Sequence, residues 1–168
     1  MIKGDNVYLR LTEKYDLNRI MDIYKETVKN KVEYNKHKKY IYDNFNKILR
    51  SPLTCLSIIN EKDVLVGFAT YIEEENDIYK FGITIGKRFR NRGYGKEVIN
   101  LIKEHLFAVK NAKGIILEVE MNNESAISCY NTCGFVISEV TDFKSIKEDI
   151  MKMELINDNY KYYERKCS

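Results

Sequence analysis

Alternating and helically spaced apolar positions divide the chain into strands and helices. Residues 7–11 alternate and predict a first strand, after which Thr12 is a candidate helix N-cap. Apolar residues at helical spacing predict a first helix over residues 17–28 and a second over residues 41–49. The polar, basic segment between them, residues 29–39, predicts a loop or a frayed helix end.

Short apolar runs then predict most of a sheet. Residues 55–59, 64–71 and 78–85 read as three strands joined by hairpin turns. After a turn and a helix, the run at residues 115–119 predicts a buried strand parallel to the strand before that helix. A short helix and two further strands complete the order βααβββαβαββ. This order predicts a mixed α/β fold of three layers, in which an antiparallel sheet is continued by a β-α-β unit.

Composition indicates one globular domain over residues 1–168. The chain is 44% apolar and 32% charged, which is enough for a proper core. No apolar run approaches the roughly 20 residues of a membrane helix, and the first residues lack the apolar segment of a signal peptide. We therefore expect a cytoplasmic protein without a membrane partner. The net charge of +3 is too small to indicate nucleic-acid binding.

The cysteines and histidines do not form a metal-binding pattern. The four cysteines are Cys55, Cys129, Cys133 and Cys167, and the two histidines are His37 and His105. Cys129 and Cys133 lie four residues apart on a predicted helix and would form half of a zinc site, but no second pair accompanies them. We therefore expect no metal, and thiols in a reducing cytosol.

A basic, glycine-containing turn is the most informative stretch for function. It follows the apolar strand ending at Ile85, has five cationic residues and no acid from Lys87 to Lys96, and leads directly into a predicted helix. Strand, glycine-rich turn and helix present backbone N–H groups to a phosphate, so we predict a diphosphate site at this helix N-terminus. The chain has no GxxxxGK[ST] motif, and only two of the three glycines of a dinucleotide fingerprint are present.

Two motifs resemble those of the GNAT superfamily of acyl-CoA N-acyltransferases. The first is Arg90-Asn91-Arg92-Gly93-Tyr94-Gly95, which matches the pyrophosphate motif [Arg/Gln]-x-x-Gly-x-[Gly/Ala] of that family. The second, residues 123–135, resembles the segment Asn-x-x-Ala-x-x-x-Tyr-x-x-x-Gly-Phe at every fixed position. The resemblance is specific over residues 78–135. Residues 2–11 and 150–155 are similar to the branch that contains ribosomal-protein and spermidine N-acetyltransferases.

The resemblance implies acetyl-CoA as cosubstrate and assigns its binding residues. The main chain of the strand Ile83, Thr84 and Ile85 would pair with the pantetheine amides. The turn would hold the diphosphate through Arg90, Asn91, Arg92, Gly93, Tyr94, Gly95 and Lys96. Lys87, Arg88 and Arg92 would add charge or meet the ribose phosphate. The alternatives are an ordinary core strand and a solvated helix start.

The resemblance also suggests catalytic residues. Tyr130 would protonate the leaving CoA thiolate, or it is a helix tyrosine packed on the sheet. Asn123 would hydrogen-bond pantetheine, cap the helix, or do both. Glu118, twelve residues before Tyr130, would be the general base for the amine, or it faces solvent at the sheet edge. A water relay to Glu73 or Asp77 is the other route for the proton.

The implied reaction is direct attack of a primary amine on the thioester in a ternary complex. A main-chain N–H of the fourth predicted strand would stabilise the oxyanion, and no acyl-enzyme forms. The acceptor, a small molecule or a peptide, would be selected by residues 29–52 and the loop 142–148. The acidic turn at residues 73–77 either attracts a cationic acceptor such as a polyamine or is simply solvated.

Two other functions remain open. One is a non-catalytic acyl-CoA-binding or regulatory module with the same fold. The other is a basic nucleic-acid-binding domain, which is disfavoured because aromatic residues are not interleaved with the basic turn. We expect a monomer or a homodimer.

Overall fold

The computed structural model describes residues 1–28, 30–141 and 150–159 of the chain. The strands are β1 (Ile2–Lys3), β2 (Val7–Leu11), β3 (Thr54–Asn60), β4 (Leu65–Glu73), β5 (Ile78–Ile85), β6 (Gly114–Glu120), β7 (Val136–Thr141) and β8 (Ile150–Ile156). The α-helices are α1 (Leu17–Lys25), α2 (Lys31–Ile48), α3 (Tyr94–Ala108) and α4 (Glu124–Thr132). The predicted turn and acceptor loop at residues 142–148, the Tyr-rich tail and Cys167 lie outside the described residues.

The strands form an eight-stranded sheet in the order β1-β2-β3-β4-β5-β6-β8-β7. The pairs β1–β2, β2–β3 and β3–β4 are antiparallel, as are β6–β8 and β8–β7. Only β5 and β6 pair in parallel among the registers described, and α3 lies between them in the chain. The predicted mixed α/β fold, with an antiparallel sheet continued by a β-α-β unit, is confirmed.

The chain divides into two compact units that are described separately. The amino-terminal unit comprises residues 1–72 and 83–98, and the carboxy-terminal unit comprises residues 73–82 and the described residues from 99 onward. Fully buried side chains of the amino-terminal unit are Leu9, Met21, Ile23, Ile58, Val66 and Val98. Those of the carboxy-terminal unit are Ile102, Leu106, Ile115, Leu117 and Met153. The single domain over residues 1–168 stays a prediction.

The second helix is longer than predicted. The segment expected to be a loop or a frayed end forms the first half of α2, which begins at Lys31. The Asn30 side chain caps it by accepting hydrogen bonds from the Val32 and Glu33 N–H groups at 2.9 and 3.4 Å. Only Tyr34 and Phe45 of this helix are buried, so its sequence carries little of the apolar periodicity on which the prediction depended.

The predicted N-cap, Thr12, does not cap a helix. The helical stretch begins after it with a short 3-10 turn over Lys14–Asp16. Thr12 is buried instead, and its hydroxyl lies 3.2 Å from the Ser57 hydroxyl on β3. A short strand, β1, was also absent from the predicted elements, and it pairs with β2 in the register Ile2↔Leu9.

A buried carboxylate connects β2, the 3-10 turn and β3 in the amino-terminal unit. Asp16 is 4% exposed and accepts two hydrogen bonds from the Arg10 guanidinium, at 2.6 and 2.8 Å. It also accepts from the Glu13 N–H at 2.9 Å and from the Ser57 hydroxyl at 2.8 Å. Burial raises the pKa of Asp16, but these hydrogen bonds outweigh it and bring the pKa below its ordinary value.

We predict that Asp16→Asn destabilises the protein because it leaves the Arg10 guanidinium without its carboxylate. The free energy of unfolding in urea should fall by about 3 kcal/mol at pH 7. Since the pKa of Asp16 is lowered on folding, its stabilisation is full above the ordinary value near ~3.9 and is lost as the pH falls through the folded-state pKa. The difference in the free energy of unfolding between the wild-type protein and Asp16→Asn should therefore become smaller in acid.

The matched control is Asp43→Asn on α2, whose exposed carboxylate lies 3.6 Å from Lys39. This change should cost no more than about 0.5 kcal/mol. Equal losses for the two variants would mean that the contacts of Asp16 add no stability.

Candidate functional site

The turn between β5 and α3 has the geometry of an anion site. Asn91 and Gly93 have positive φ angles of 59° and 83°, and the first bond of the α3 ladder runs from the Glu97 N–H to the Gly93 carbonyl at 3.1 Å. The N–H groups of Tyr94 and Gly95 lie before that first bond, so the helix itself supplies no acceptor for them. A Cβ at Gly93 would meet no atom within 4 Å, so there is open space beside this glycine at the start of α3. The turn fits a phosphate group.

Three arginines surround the Phe89 ring beside this turn. The guanidinium carbons of Arg19, Arg88 and Arg92 lie 5.8, 4.8 and 5.9 Å from the ring centroid. Arg88 and Arg92 belong to the predicted basic turn, whereas Arg19 is an addition to it that no motif indicates, because it lies on α1, far from the turn in sequence. Arg90 makes a contact within the turn itself, because its Nε donates a hydrogen bond to the Ile85 carbonyl at 2.9 Å.

The α3 end of the turn is attached to the start of β2 by Glu97. Its carboxylate accepts from the Asn6 backbone N–H at 2.8 Å, the Asn6 side chain at 3.0 Å and the Val7 N–H at 3.2 Å. Burial raises the pKa of Glu97, but these hydrogen bonds outweigh it and bring the pKa below its usual range. No local sequence pattern predicts these contacts of Glu97, since its partners are about 90 residues away.

The predicted pantetheine strand lies directly against β4. Gly67 of β4 is so close to β5 that a Cβ there would be 2.4 Å from the Thr84 carbonyl oxygen and 2.9 Å from the Ile85 side chain. Just beyond, the Gly86 N–H donates to the Val66 carbonyl at 2.9 Å. Ile83, Thr84 and Ile85 are half-buried. Gly67 therefore sets the separation of the two backbones at this position.

Tyr130, the predicted acid, is a buried residue of α4 in the carboxy-terminal unit. It is 8% exposed, and its ring centroid lies 5.8 Å from that of Phe135. Burial raises the pKa of Tyr130 to about 12, with smaller contributions from Cys129 and Cys133. Asn123 caps the same helix by accepting from the Ala126 N–H at 3.3 Å, which confirms the capping role. Its contact with pantetheine stays a prediction.

Glu118, the predicted base, is paired with a lysine. It lies on the face of β6 opposite to the buried Leu117 and Val119, as the alternation of residues along a strand requires. Its carboxylate accepts from Lys80 Nζ on β5 at 2.8 Å, and the two side chains are 54% and 39% exposed. Its exposure to solvent explains how a glutamate is accommodated within an apolar strand, and an ion pair this exposed adds little stability.

The two acids proposed for a water relay also have structural contacts. Glu73 accepts a hydrogen bond from the Tyr79 hydroxyl at 2.7 Å, and Asp77 pairs with Lys113 at 3.0 Å.

The predicted donor-binding turn and the strand residues 83–85 lie in the amino-terminal unit. The predicted Asn123, Tyr130 and Glu118 lie in the carboxy-terminal unit.

The described residues show neither a metal-binding cluster nor a membrane-spanning helix. Residues 1–28, 30–141 and 150–159 contain no group of three or more His, Cys, Asp or Glu side chains placed to hold a metal ion. No helix within these ranges has the length and apolar composition needed to cross a membrane.

Comparison of the sequence with known families and proteins gives consistent results. The model of the Acetyltransferase (GNAT) family matches residues 17–135. The Spermine/spermidine N(1)-acetyltransferase of Bacillus subtilis is 31% identical over 99 residues, 54% of this chain. The match spans 64% of that relative, just under two thirds of its length. The Spermidine N(1)-acetyltransferase of Vibrio cholerae is 26% identical over 134 residues, covering 76% of this chain and 71% of the relative.

Solved structures share the fold. A chimera of the Vibrio cholerae spermidine N-acetyltransferase SpeG superposes with a TM-score of 0.81 at 21% identity, covering 93% of this chain and 98% of that chain. The Vibrio cholerae enzyme in complex with CoA and spermine superposes with a TM-score of 0.74 at 20% identity, covering 92% and 97%. A further structure of that enzyme is dodecameric.

We predict that Gly67→Ala disrupts the contact between β4 and β5. Its methyl group would meet a backbone oxygen that cannot move without separating the strands, so the free energy of unfolding in urea should fall by about 2–3 kcal/mol. Gly93→Ala is the matched control. It has open space but a positive φ, and it should cost about 1 kcal/mol. A smaller loss for Gly67→Ala than for Gly93→Ala would contradict this interpretation.

Proposed function

Because this chain belongs to the acetyltransferase (GNAT) family, we propose that it transfers an acetyl group from acetyl-CoA to a primary amine. The observation that carries the proposal is the turn between β5 and α3. It has open space beside Gly93, leads directly into the first N–H groups of α3, and adjoins the Phe89 ring with its three arginines. Acetyl-CoA would supply the diphosphate that binds there and the thioester that reacts.

We assign donor binding to the motif residues of the amino-terminal unit. The N–H groups of Tyr94 and Gly95 bind the diphosphate, and the helix dipole of α3 adds favourable potential. The main chain of residues 83–85 pairs with the pantetheine amides. One main-chain N–H of this strand stabilises the oxyanion in a direct, ternary-complex transfer.

Tyr130 acts as a hydrogen-bond donor to the leaving sulfur. With a pKa of about 12, full proton transfer to a thiolate of pKa ~8.5 would be unfavourable by about 5 kcal/mol. The buried phenol instead keeps its proton and stabilises the sulfur as its negative charge develops. The thiol proton comes ultimately from the amine, which becomes acidic on attack.

Polyamines belong in the first screen of acceptors, because relatives are named for spermidine and spermine. The assembly that we expect is a monomer or a homodimer, and the dodecamer of a structural neighbour makes a larger assembly the alternative. Light scattering on the purified protein distinguishes them. The rival function is a non-catalytic acyl-CoA-binding module, which would bind acetyl-CoA and release no thiol with any amine.

We predict that Tyr130→Phe lowers kcat about 100-fold, because it removes the donor to the leaving sulfur. KM for acetyl-CoA should change little, since the ring and its packing remain. Burial raises the pKa of Tyr130 to about 12, so the phenol should keep its proton up to about pH 11. The rate of thiol release by the wild-type protein, measured as a function of pH, should therefore not fall through ionisation of Tyr130 in that range. A Tyr130→Phe variant with unchanged kcat would remove Tyr130 from the mechanism.

A second pair of variants tests Glu118. If it is the base, Glu118→Gln should lower kcat at least about 100-fold at the pH of the assay, with little change in KM for acetyl-CoA. Lys80→Met removes the same ion pair but retains the carboxylate, so it should keep most of the activity. Similar small effects of both changes would leave Glu118 only a structural partner of Lys80.

A further inference from the structure

A largely apolar cavity of about 530 Å³ opens in the amino-terminal unit, between α1, α2 and β4. It is lined by Ile20, Met21, Tyr24, His37, Tyr40, Ile41, Lys47, Ile48, Ser51, Leu53 and Phe68. A cavity of this size and composition is typical of sites for small organic molecules. No residue of the two sequence motifs contributes to it.

The lining provides apolar surface and very little charge. None of these eleven side chains is a carboxylate, and the one permanently charged group among them is the cation Lys47. Its polar groups include one hydrogen-bonded pair, in which the Tyr24 hydroxyl lies 2.7 Å from His37 Nδ1. Tyr24 also stacks on Tyr34 with ring centroids 6.4 Å apart, which holds this aromatic wall in place.

This composition discriminates between classes of amine. A polyamine carries several ammonium groups, and each would lose water on entry without meeting a carboxylate, at a cost of several kcal/mol in total. Lys47 would add repulsion. An amine with a single cationic group and an aliphatic or aromatic body would instead bury its body against the apolar lining.

The cavity is next to the strand assigned to the donor. Phe68 lines it from β4, one residue after Gly67, whose backbone lies against the Thr84 carbonyl. The Gly86 N–H completes the contact by bonding to Val66, two residues before Phe68. One side of the cavity is therefore formed by the strand that packs on residues 83–85.

We propose that this cavity is the acceptor subsite and that it takes a primary monoamine with an apolar or aromatic body, in preference to a polyamine. The proposal rests on the proposed function, since it names the acceptor of that reaction. The acidic turn at residues 73–77 contributes no side chain to the cavity.

The test compares 2-phenylethylamine and hexylamine with spermidine and spermine on the full chain. Calorimetry in the presence of CoA measures binding, and thiol release from acetyl-CoA measures turnover. We expect the two monoamines to bind at least tenfold more tightly than spermidine and to have the higher kcat/KM. Equal or tighter binding of spermidine overturns the proposal, and so does the absence of monoamine binding.

A carboxylate placed at the cavity provides the decisive variant. Tyr40 is 59% exposed, so Tyr40→Glu should fold normally. It should weaken binding of 2-phenylethylamine about fivefold and strengthen binding of spermidine about threefold. Asn46→Glu, an exposed position of the same helix outside the cavity lining, makes the same change in charge and should alter neither. Identical effects of the two variants overturn the assignment of the cavity.

The two readouts separate failure of the subsite from failure of the proposed function. Monoamine binding that Tyr40→Glu weakens, without thiol release from any amine, supports the cavity as an amine site and removes the enzymatic function. Thiol release that is fastest with spermidine and insensitive to Tyr40→Glu supports the enzymatic function and removes the subsite.

Discussion

The close approach of β4 and β5 at Gly67 is the constraint on which the amino-terminal unit depends. With no Cβ at that position, the two backbones come together beside Thr84, and the Gly86 N–H bonds to Val66 directly afterwards. The chain therefore leaves the sheet at a defined place and enters the basic turn in a defined direction. Glu97 fixes the other end of that turn by holding the start of α3 to Asn6 and Val7. The backbone geometry of the basic turn is thus set from both sides.

The charged side chains of the amino-terminal unit include two groups, carboxylates that hold elements together and arginines without an ion-pair partner among the described residues. Asp16 and Glu97 have lowered pKa values because several hydrogen bonds converge on each carboxylate, and both hold elements together. The arginines around Phe89 have a different arrangement: among the described residues, no carboxylate lies within ion-pair distance of Arg19, Arg88 or Arg92. Their mutual repulsion would decrease when an anion binds. A raised pKa, at Tyr130, occurs where burial acts with no compensating charge.

Sequence reasoning succeeded where a local pattern determines the structure. The parallel pairing of β5 and β6, the alternation that places Glu118 opposite Val119, and the Asn123 cap all follow from short-range spacing. It failed where the partner is distant or the pattern is weak. Arg19 and the Lys80 partner of Glu118 are brought to their positions by tertiary structure alone. The first half of α2 was missed because an exposed helix needs few apolar residues.

The exposure of α2 affects which amino-acid substitutions this helix can accept during evolution. Only two of its eighteen residues are buried, yet it supplies five of the side chains that line the cavity. Substitutions at its exposed positions have little effect on folding, because little free energy depends on their packing. The wall that faces the proposed acceptor can therefore tolerate substitution more readily than the glycines and carboxylates around the basic turn, on which packing and several hydrogen bonds depend.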